Sequence, residues 1–216
     1  MATNPPFALV RCSEEDMSDL VELMYEAFPP SIRTTFMGCS TPPQPGDLDR
    51  IANVYKTQMR DHPHDIWIGI KDMATGMLVA GSNYKVFLNG RGGDRECDKS
   101  PEWLTGEERK QSIAVVAEMN QARSEAMPGP FVYLHICFTD AVYRRRGAGA
   151  MMLQWGCDLA DQLFLPGYIE ASAEGNFLYK KFGFRDLKRI GGELGEDAAV
   201  TMVREARVKP IMGGRS

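Results

Sequence analysis

Apolar residues recur along this chain at two spacings, and the change from one to the other marks out a series of strands and helices. Phe7 to Cys12 is a short apolar run of strand type. Ser13, followed three residues later by Asp16, has the form of a capping box. Met17, Leu20, Val21, Met24 and Phe28 then share one face of a 3.6-residue period, predicting a helix that Pro29 and Pro30 stop. Pro29, Pro30, Pro42, Pro43 and Pro45, with Gly38 and Gly46, leave positions 29–46 too broken for regular structure. A loop of that length is either a binding element or a mobile connector. Leu48, Ile51, Ala52, Tyr55 and Met59 mark a second helix, ended by His62-Pro63-His64. Ile66 to Ile70 and Leu78 to Leu88 are apolar runs separated by the turn-rich Asp72-Met73-Ala74-Thr75-Gly76, a hairpin pattern.

After a polar break over 89–100, Thr105 and Glu108 have the form of a second capping box, opening a helix that runs to about Ala126 and closes at Met127-Pro128-Gly129-Pro130. Strand-like Phe131 to Thr139, helix-like Gly147 to Phe164 and strand-like Tyr168 to Ala173 follow. A short helix over Asn176 to Lys181 precedes strands near Phe184 to Ile190 and Ala198 to Ala206. No internal repeat occurs. The class expected is α/β or α+β, with a mixed sheet whose central strands are joined by a helical crossover.

Composition narrows the partners. With 216 residues, 44% hydrophobic and 25% charged, the chain has the make-up of one soluble globular domain with additions. Against 25 Lys and Arg stand 29 Asp and Glu, a net charge of −4, so the basic excess needed to neutralise many phosphates is missing and nucleic acid is not expected as a partner. The five cysteines are scattered with no CxxC pair, which suggests reduced thiols of a cytoplasmic protein rather than a disulfide framework or zinc cage. His62 and His64 have no further Cys or His beside them, so a solvated loop is favoured over a metal site. The first residues carry no charged leader, and no run of about eighteen apolar residues occurs, so neither secretion nor a membrane span is expected.

The stretch from Val132 to Ala150 carries the chemistry. An apolar strand enters the basic, glycine-bearing turn Arg144-Arg145-Arg146-Gly147-Ala148-Gly149-Ala150, and a helix with a stripe of Met152, Trp155, Leu159 and Leu163 follows. Glycine lets backbone approach a ligand closely, and the N–H groups of a helix's first turn face whatever anion lies there. Three adjacent arginines can also be merely a solvated charged turn. A nucleotide P-loop would have Lys-Ser/Thr where Ala150-Met151 stand. A dinucleotide fold would have a third glycine where Met152 stands, although Glu170 lies at about the distance of a ribose partner.

Arg144-x-x-Gly147-x-Gly149 resembles the phosphate loop of the GNAT acetyltransferase superfamily, and Asn176-Phe177-Leu178-Tyr179-Lys180-Lys181-Phe182-Gly183-Phe184 resembles that family's closing signature. The resemblance is strong over about 131–184 and extends more loosely through the order of the earlier elements. It implies a single GNAT-like domain over 1–216, with a central mixed sheet flanked by helices and a splayed pair of central strands. A helical insertion at about 89–130 is similar to that of fungal small-molecule members. Acetyl-CoA is the implied cosubstrate, its pyrophosphate held by Arg144, Arg145, Arg146, Gly147, Ala148, Gly149 and Ala150. Cys137, Phe138 and Thr139 would run beside the pantetheine arm, and Asn176 and Tyr179 would complete the cofactor site.

An alkylamine, like the Lys side chain with its pKa near 10.4, is mostly protonated at neutral pH and needs a base before it can attack a thioester. Arylalkylamine N-acetyltransferases carry a histidine matching His135, and a second histidine that this chain replaces with Tyr133. His135 is thus the implied base, with Glu170 and Asp140 as weaker substitutes and an interior strand histidine as the plainer reading. Tyr179 matches the family's general acid and is otherwise a core aromatic. The family shapes its acceptor pocket with segments matching 29–46, Tyr25, Phe28 and 191–197, and Glu170 is counted with the acceptor residues. The expected acceptor is a small-molecule amine, and the protein a monomer or homodimer. A non-catalytic acyl-CoA-binding module, a CoA-independent interaction domain and a peptide or protein N-acetyltransferase remain open at this point.

Overall fold

The computed structural model describes residues 6–89 and 99–207. Seven strands, β1 (Phe7–Arg11), β2 (Asp65–Asp72), β3 (Leu78–Phe87), β4 (Phe131–Thr139), β5 (Gly167–Ala171), β6 (Arg185–Ile190) and β7 (Ala199–Arg204), form one sheet in the order β1-β2-β3-β4-β5-β7-β6. Only the β4–β5 pair is parallel. Parallel neighbours need a crossover, supplied here by α5 (Ala148–Leu163). The sheet is therefore mixed, as expected from the sequence. The polar break expected at 89–100 falls mostly on 90–98, outside the described residues.

Helices cover both faces. On one, Met152, Leu153, Cys157 and Ala160 of α5 and Tyr179 of α6 (Ala173–Lys181) pack with Ile68, Ile70, Tyr84, Val132, Leu134 and Ile169 of the sheet. On the other, α1 (Met17–Ala27) and α3 (Asp47–Asp61) bury Met17, Leu20, Val21, Met24, Ile51 and Ala52 against Trp67 and Phe138. A separate cluster of Phe87, Phe131, Tyr133, Tyr168 and Val203 on that face meets Met127, just past α4 (Gly106–Ala126). The Ser13–Asp16 capping box forms, with Asp16 Oδ2 accepting from the Ser13 amide at 2.8 Å.

Three local expectations are corrected. Segment 29–46 is not wholly irregular: Pro30 opens a helical turn, α2 (Pro30–Ile32), that runs into a π-helical turn over Arg33–Met37. A proline at a first helical position lacks an N–H that would have gone unpaired anyway, and Gly38 ends the turn at φ +58°. Thr105 caps α4 without the side-chain bond of a capping box. The short helix α6 starts at Ala173, three residues early, because Ser172 Oγ accepts from the Gly175 amide at 3.3 Å.

Two irregularities of β4 prepare the site. It pairs with β5 only through Val132–Gly167, Tyr133–Tyr168 and Leu134–Ile169, after which β5 continues on β7 alone. The central strands thus part beyond Leu134. On its other side β4 steps from Leu134 opposite Tyr84 to Ile136 opposite Asn83, so His135 is an extra, bulged residue. The bulge puts Leu134 and Cys137 on the α5 face although they are three apart, and leaves Ile136 and Phe138 on the α1 face.

Candidate active site

The parted edge of β4 and the start of α5 lie at the same end of the sheet. The Asp140 amide donates to Val79 of β3 at 3.0 Å, and strand geometry then turns the backbone of Thr139 and Cys137 toward the side that β5 has left. Asp140 Oδ1 accepts from the Val142 amide at 2.8 Å and starts a tight turn over Ala141–Tyr143. The chain then reverses through Arg145 at φ +63° and Gly147 at φ +100°. The first of these is a conformation few non-glycine residues adopt.

Beyond that reversal α5 begins without a side-chain cap. Met151 N donates to Gly147 O at 3.0 Å, so the amides of Ala148, Gly149 and Ala150 have no acceptor within the helix. A Cβ on Gly149 would meet Leu178 of α6 at 3.4 Å, so the helix start lies against α6. The three arginines differ in use. Arg144 donates to the carbonyls of Thr139 (3.3 Å) and Ala27 (3.1 Å) and lies 3.5 Å from Glu174, bracing the turn against α1 and α6. Arg146 lies over the Tyr143 ring at 5.3 Å. Arg145 and Arg146 are solvent-exposed.

Behind the parted edge is a cluster of hydroxyls and a thiol. Tyr179 reaches from α6 to the Cys137 thiol, the two groups acting on each other's titration. Burial pushes that thiol up to about 12, and burial with the neighbouring sulfur holds the Tyr179 phenol well above its ordinary range. Both therefore keep their protons near neutrality. Tyr84 Oη donates to Met152 O at 3.0 Å and is likewise raised, chiefly by burial. These rings fit because two helical positions are glycine. A Cβ on Gly156 would come within 2.2 Å of the Tyr84 ring, and one on Gly175 within 2.7 Å of the Tyr179 ring. Asn176 Nδ2 donates to Asp186 at 3.0 Å and to Met202 Sδ at 3.5 Å.

His135 is on the opposite face of the sheet, its Nδ1 3.0 Å from Asn83 Oδ1 and its ring 5.4 Å from that of Tyr133. Glu170, on the same face of β5, is 3.4 Å from Arg123 of α4, and both side chains are buried. The Arg123 guanidinium also lies 4.7 Å over the Tyr133 ring. A polar strip of Asn83, His135, Glu170 and Arg123 thus separates the two apolar clusters of this face. Burying charge without compensation is costly, so a strip here is a feature that packing alone would not favour.

The residues expected at the acceptor end are partly committed elsewhere. Tyr25 is buried, donates to Ser40 O at 3.0 Å and has the Arg33 guanidinium 4.1 Å over its ring. Phe28 packs edge-on to Phe138 at 6.0 Å. Sequence reasoning missed Asn83, Arg123 and Tyr84. A fully buried arginine inside an otherwise charged helix gives no periodic signal, and the register that pairs Asn83 with the bulge exists only once the sheet is assembled.

Solved structures share this architecture at low identity. An agmatine N-acetyltransferase is covered over 93% of this chain and 100% of that one, with TM-score 0.65 and 11% identity. A mosquito arylalkylamine N-acetyltransferase like 5b gives 92% and 99%, 0.63 and 12%. The fold is that of the GNAT acetyltransferases. No protein-family model matches the chain. A curated relative from Ajellomyces capsulatus, "Probable acyltransferase SID5", is 35% identical over 46 residues, 21% of this chain and 34% of that protein. The match therefore spans about a third of that relative's length. Within the GNAT fold, the uncapped start of α5 and the parting of β4 from β5 are the features that leave main-chain donors available to a ligand. No helix among the described residues is long and apolar enough to cross a membrane.

Proposed function

We propose that this chain transfers an acetyl group from acetyl-CoA to the primary amine of a small molecule, by direct attack of the amine on the thioester. The observation that carries the reading is the uncapped N-terminus of α5, reached through the reversal at Arg145 and Gly147 and lying beside the parted edge of β4. Convergent amides at a helix's positive end suit a pyrophosphate, and the unpaired edge of a strand suits an amide-rich pantetheine arm. Arg145 and Arg146 add positive charge at the mouth.

In this reading the thioester carbonyl lies against the β4 amides at the bulge. His135 takes a proton from the acceptor ammonium, directly or through water, and the freed amine forms a C–N bond to the carbonyl carbon. Main-chain N–H groups hold the oxyanion. The C–S bond then breaks, the leaving thiolate takes its proton from Tyr179, whose raised pKa keeps it protonated until then, and the second proton of the attacking nitrogen passes through water to the Tyr179 phenolate as the amide forms. Acid and base stand on opposite faces of the sheet, with the gap between β4 and β5 joining them.

A small acceptor is supported by the cross-links between the segments at the expected acceptor end. Ser31 donates to Asp197, Ser112 donates to Thr35 O at 2.6 Å, and Gly191 N donates to Glu118 at 2.9 Å. These bonds tie α2, the π-helical turn over Arg33–Met37, α4 and the segment over 191–197 to one another at the expected acceptor end. The named acceptors of the two solved neighbours, agmatine and arylalkylamines, are small amines as well. Release of free thiol from acetyl-CoA across arylalkyl amines, polyamines, amino acids and peptides tests the proposal. Turnover with small amines is expected. Tight acetyl-CoA binding with no release on any acceptor would leave a non-catalytic binding module in its place.

A further inference from the structure

We infer that Arg144 is a positioning residue that joins the turn before α5 to the C-terminal end of α1, so that a ligand held on the turn also orders the acceptor-side segment over 25–37. This rests on the proposed reading in which coenzyme A lies at the start of α5.

Each nitrogen of the Arg144 guanidinium is directed at an oxygen of the protein. Nε donates to the Thr139 carbonyl at 3.3 Å, one terminal nitrogen donates to the Ala27 carbonyl at 3.1 Å, and the other lies 3.5 Å from Glu174. The Glu174 side chain is 85% exposed, so that pair contributes little. The two carbonyls matter more. Thr139 is the last residue of β4, at its parted edge, and Ala27 is the last residue of α1. One planar side chain thus spans from the strand beside the cofactor to the helix on the acceptor side, which a rigid fork of donors allows and a single ammonium does not.

The end of α1 calls for such a partner. A helix C-terminus leaves its last carbonyls unpaired at the negative end of the helix dipole, and α1 has no basic residue of its own in its last turn. Two arginines from elsewhere supply the charge. Arg144 takes the Ala27 carbonyl, while Arg33 of the π-helical turn donates to Phe28 O at 2.7 Å and to Glu26 O at 3.4 Å. Three consecutive carbonyls are therefore shared between the turn before α5 and the turn at the acceptor end. Phe28 itself packs on Phe138 of β4, and Arg33 lies over Tyr25, whose hydroxyl donates to Ser40 O.

Arg144 directly precedes the reversal at Arg145 and Gly147. A ligand that fixes this reversal also fixes the base of the Arg144 side chain, which lowers the entropy lost when its bonds to Thr139 and Ala27 form. Those bonds then hold the end of α1, and through the neighbouring carbonyls they hold Arg33.

Hydrogen–deuterium exchange of the full chain, with coenzyme A as the only added ligand, tests this. In the wild type, saturating coenzyme A is expected to slow exchange at least about tenfold over 148–152, where it binds, and over 25–37 as well. Arg144→Lys keeps the charge on a side chain that is 41% exposed but loses the fork. Slowing over 148–152 is then expected to persist, with the calorimetric Kd for coenzyme A little changed, while slowing over 25–37 disappears. A purely structural role would speed exchange over 25–37 equally with and without coenzyme A, and that result would overturn the inference. Loss of slowing over 148–152 in Arg144→Lys would make Arg144 part of the phosphate site itself and overturn it too. So would slowing over 25–37 that survives in Arg144→Lys, or that is missing from the wild type while 148–152 is slowed; the coenzyme A reading stands in both cases. No slowing in either segment of the wild type fails the coenzyme A reading, and the inference with it.

Discussion

Tyr179 on α6 and Cys137 on β4 meet where the central strands part, phenol beside thiol. If Tyr179 is the general acid of the proposed transfer, its phenol is the group that would reach the departing thiolate. Tyr179→Phe removes the donor and leaves the ring packing against Phe184 and over Gly175. Turnover should fall at least about tenfold, the low end for acid–base catalysis, with acetyl-CoA affinity barely changed. Steady-state kinetics with a calorimetric Kd measures both, and unchanged kcat would discard Tyr179 as the acid.

Gly147 reaches φ +100° at the entrance to α5, a conformation that β-branched side chains rarely adopt. No atom of the described residues stands within 4 Å of a Cβ built there, so among them the obstacle to substitution is backbone strain. Gly147→Val should re-aim the first amides of the helix and weaken acetyl-CoA binding at least about tenfold, since strain of this kind costs on the order of 1–3 kcal/mol. Calorimetric titration reads the change. An affinity equal to wild type would mean that the cofactor does not use this helix start.

Gly156 tests packing apart from chemistry. Its missing Cβ makes room for the Tyr84 ring, whose hydroxyl holds the Met152 carbonyl. Gly156→Ala should destabilise the fold by about 1–3 kcal/mol, the usual range for overpacking, despite alanine's better helix propensity. Urea unfolding checks it, and a gain in stability would show that Tyr84 moves freely aside.

The carboxylate of Asp161 links α5 to the last strand. Its two oxygens each accept from Arg204 at 2.7 Å, and Oδ1 also accepts from the Arg207 amide at 2.7 Å. The Arg204 hydrogen bonds hold Asp161 below the usual carboxylate range. A depressed acid pKa contributes stability that is fully present above the unfolded value, about 3.9, and is lost as pH falls through the lower folded value. Asp161→Asn should therefore lower stability by about 3 kcal/mol near neutrality, as expected for breaking a largely buried pair, and flatten the loss of stability below about pH 4. Unfolding free energies across that range measure it. A variant curve parallel to wild type below pH 4 would remove Asp161 as the linked group.

The sheet and its helices were readable wherever apolar residues kept one period, as with the α1 stripe from Met17 to Met24 and the run from Phe131 to Thr139. The phosphate turn was readable because glycine spacing after a strand has a local physical meaning. What escaped was created by assembly. His135 became a bulge only through its pairing with β3, and Asn83 became its partner only through that register. Arg123 lies inside a 21-residue helix whose remaining charges gave no reason to bury it, and its place under Tyr133 and beside Glu170 depends on how α4 docks. The turns at Pro30–Met37 were hidden by prolines that read as breakers but opened a helical turn instead.

Thermal unfolding of the full chain with and without acetyl-CoA tests the central claim most directly. A ligand bound only by the native state at about a hundred times its Kd adds about 2.7 kcal/mol, which for a chain of this size is roughly 5–11 °C in Tm. A rise of that order in the wild type, lost in Gly147→Val, is the predicted result. A melting curve unmoved by millimolar acetyl-CoA would contradict it.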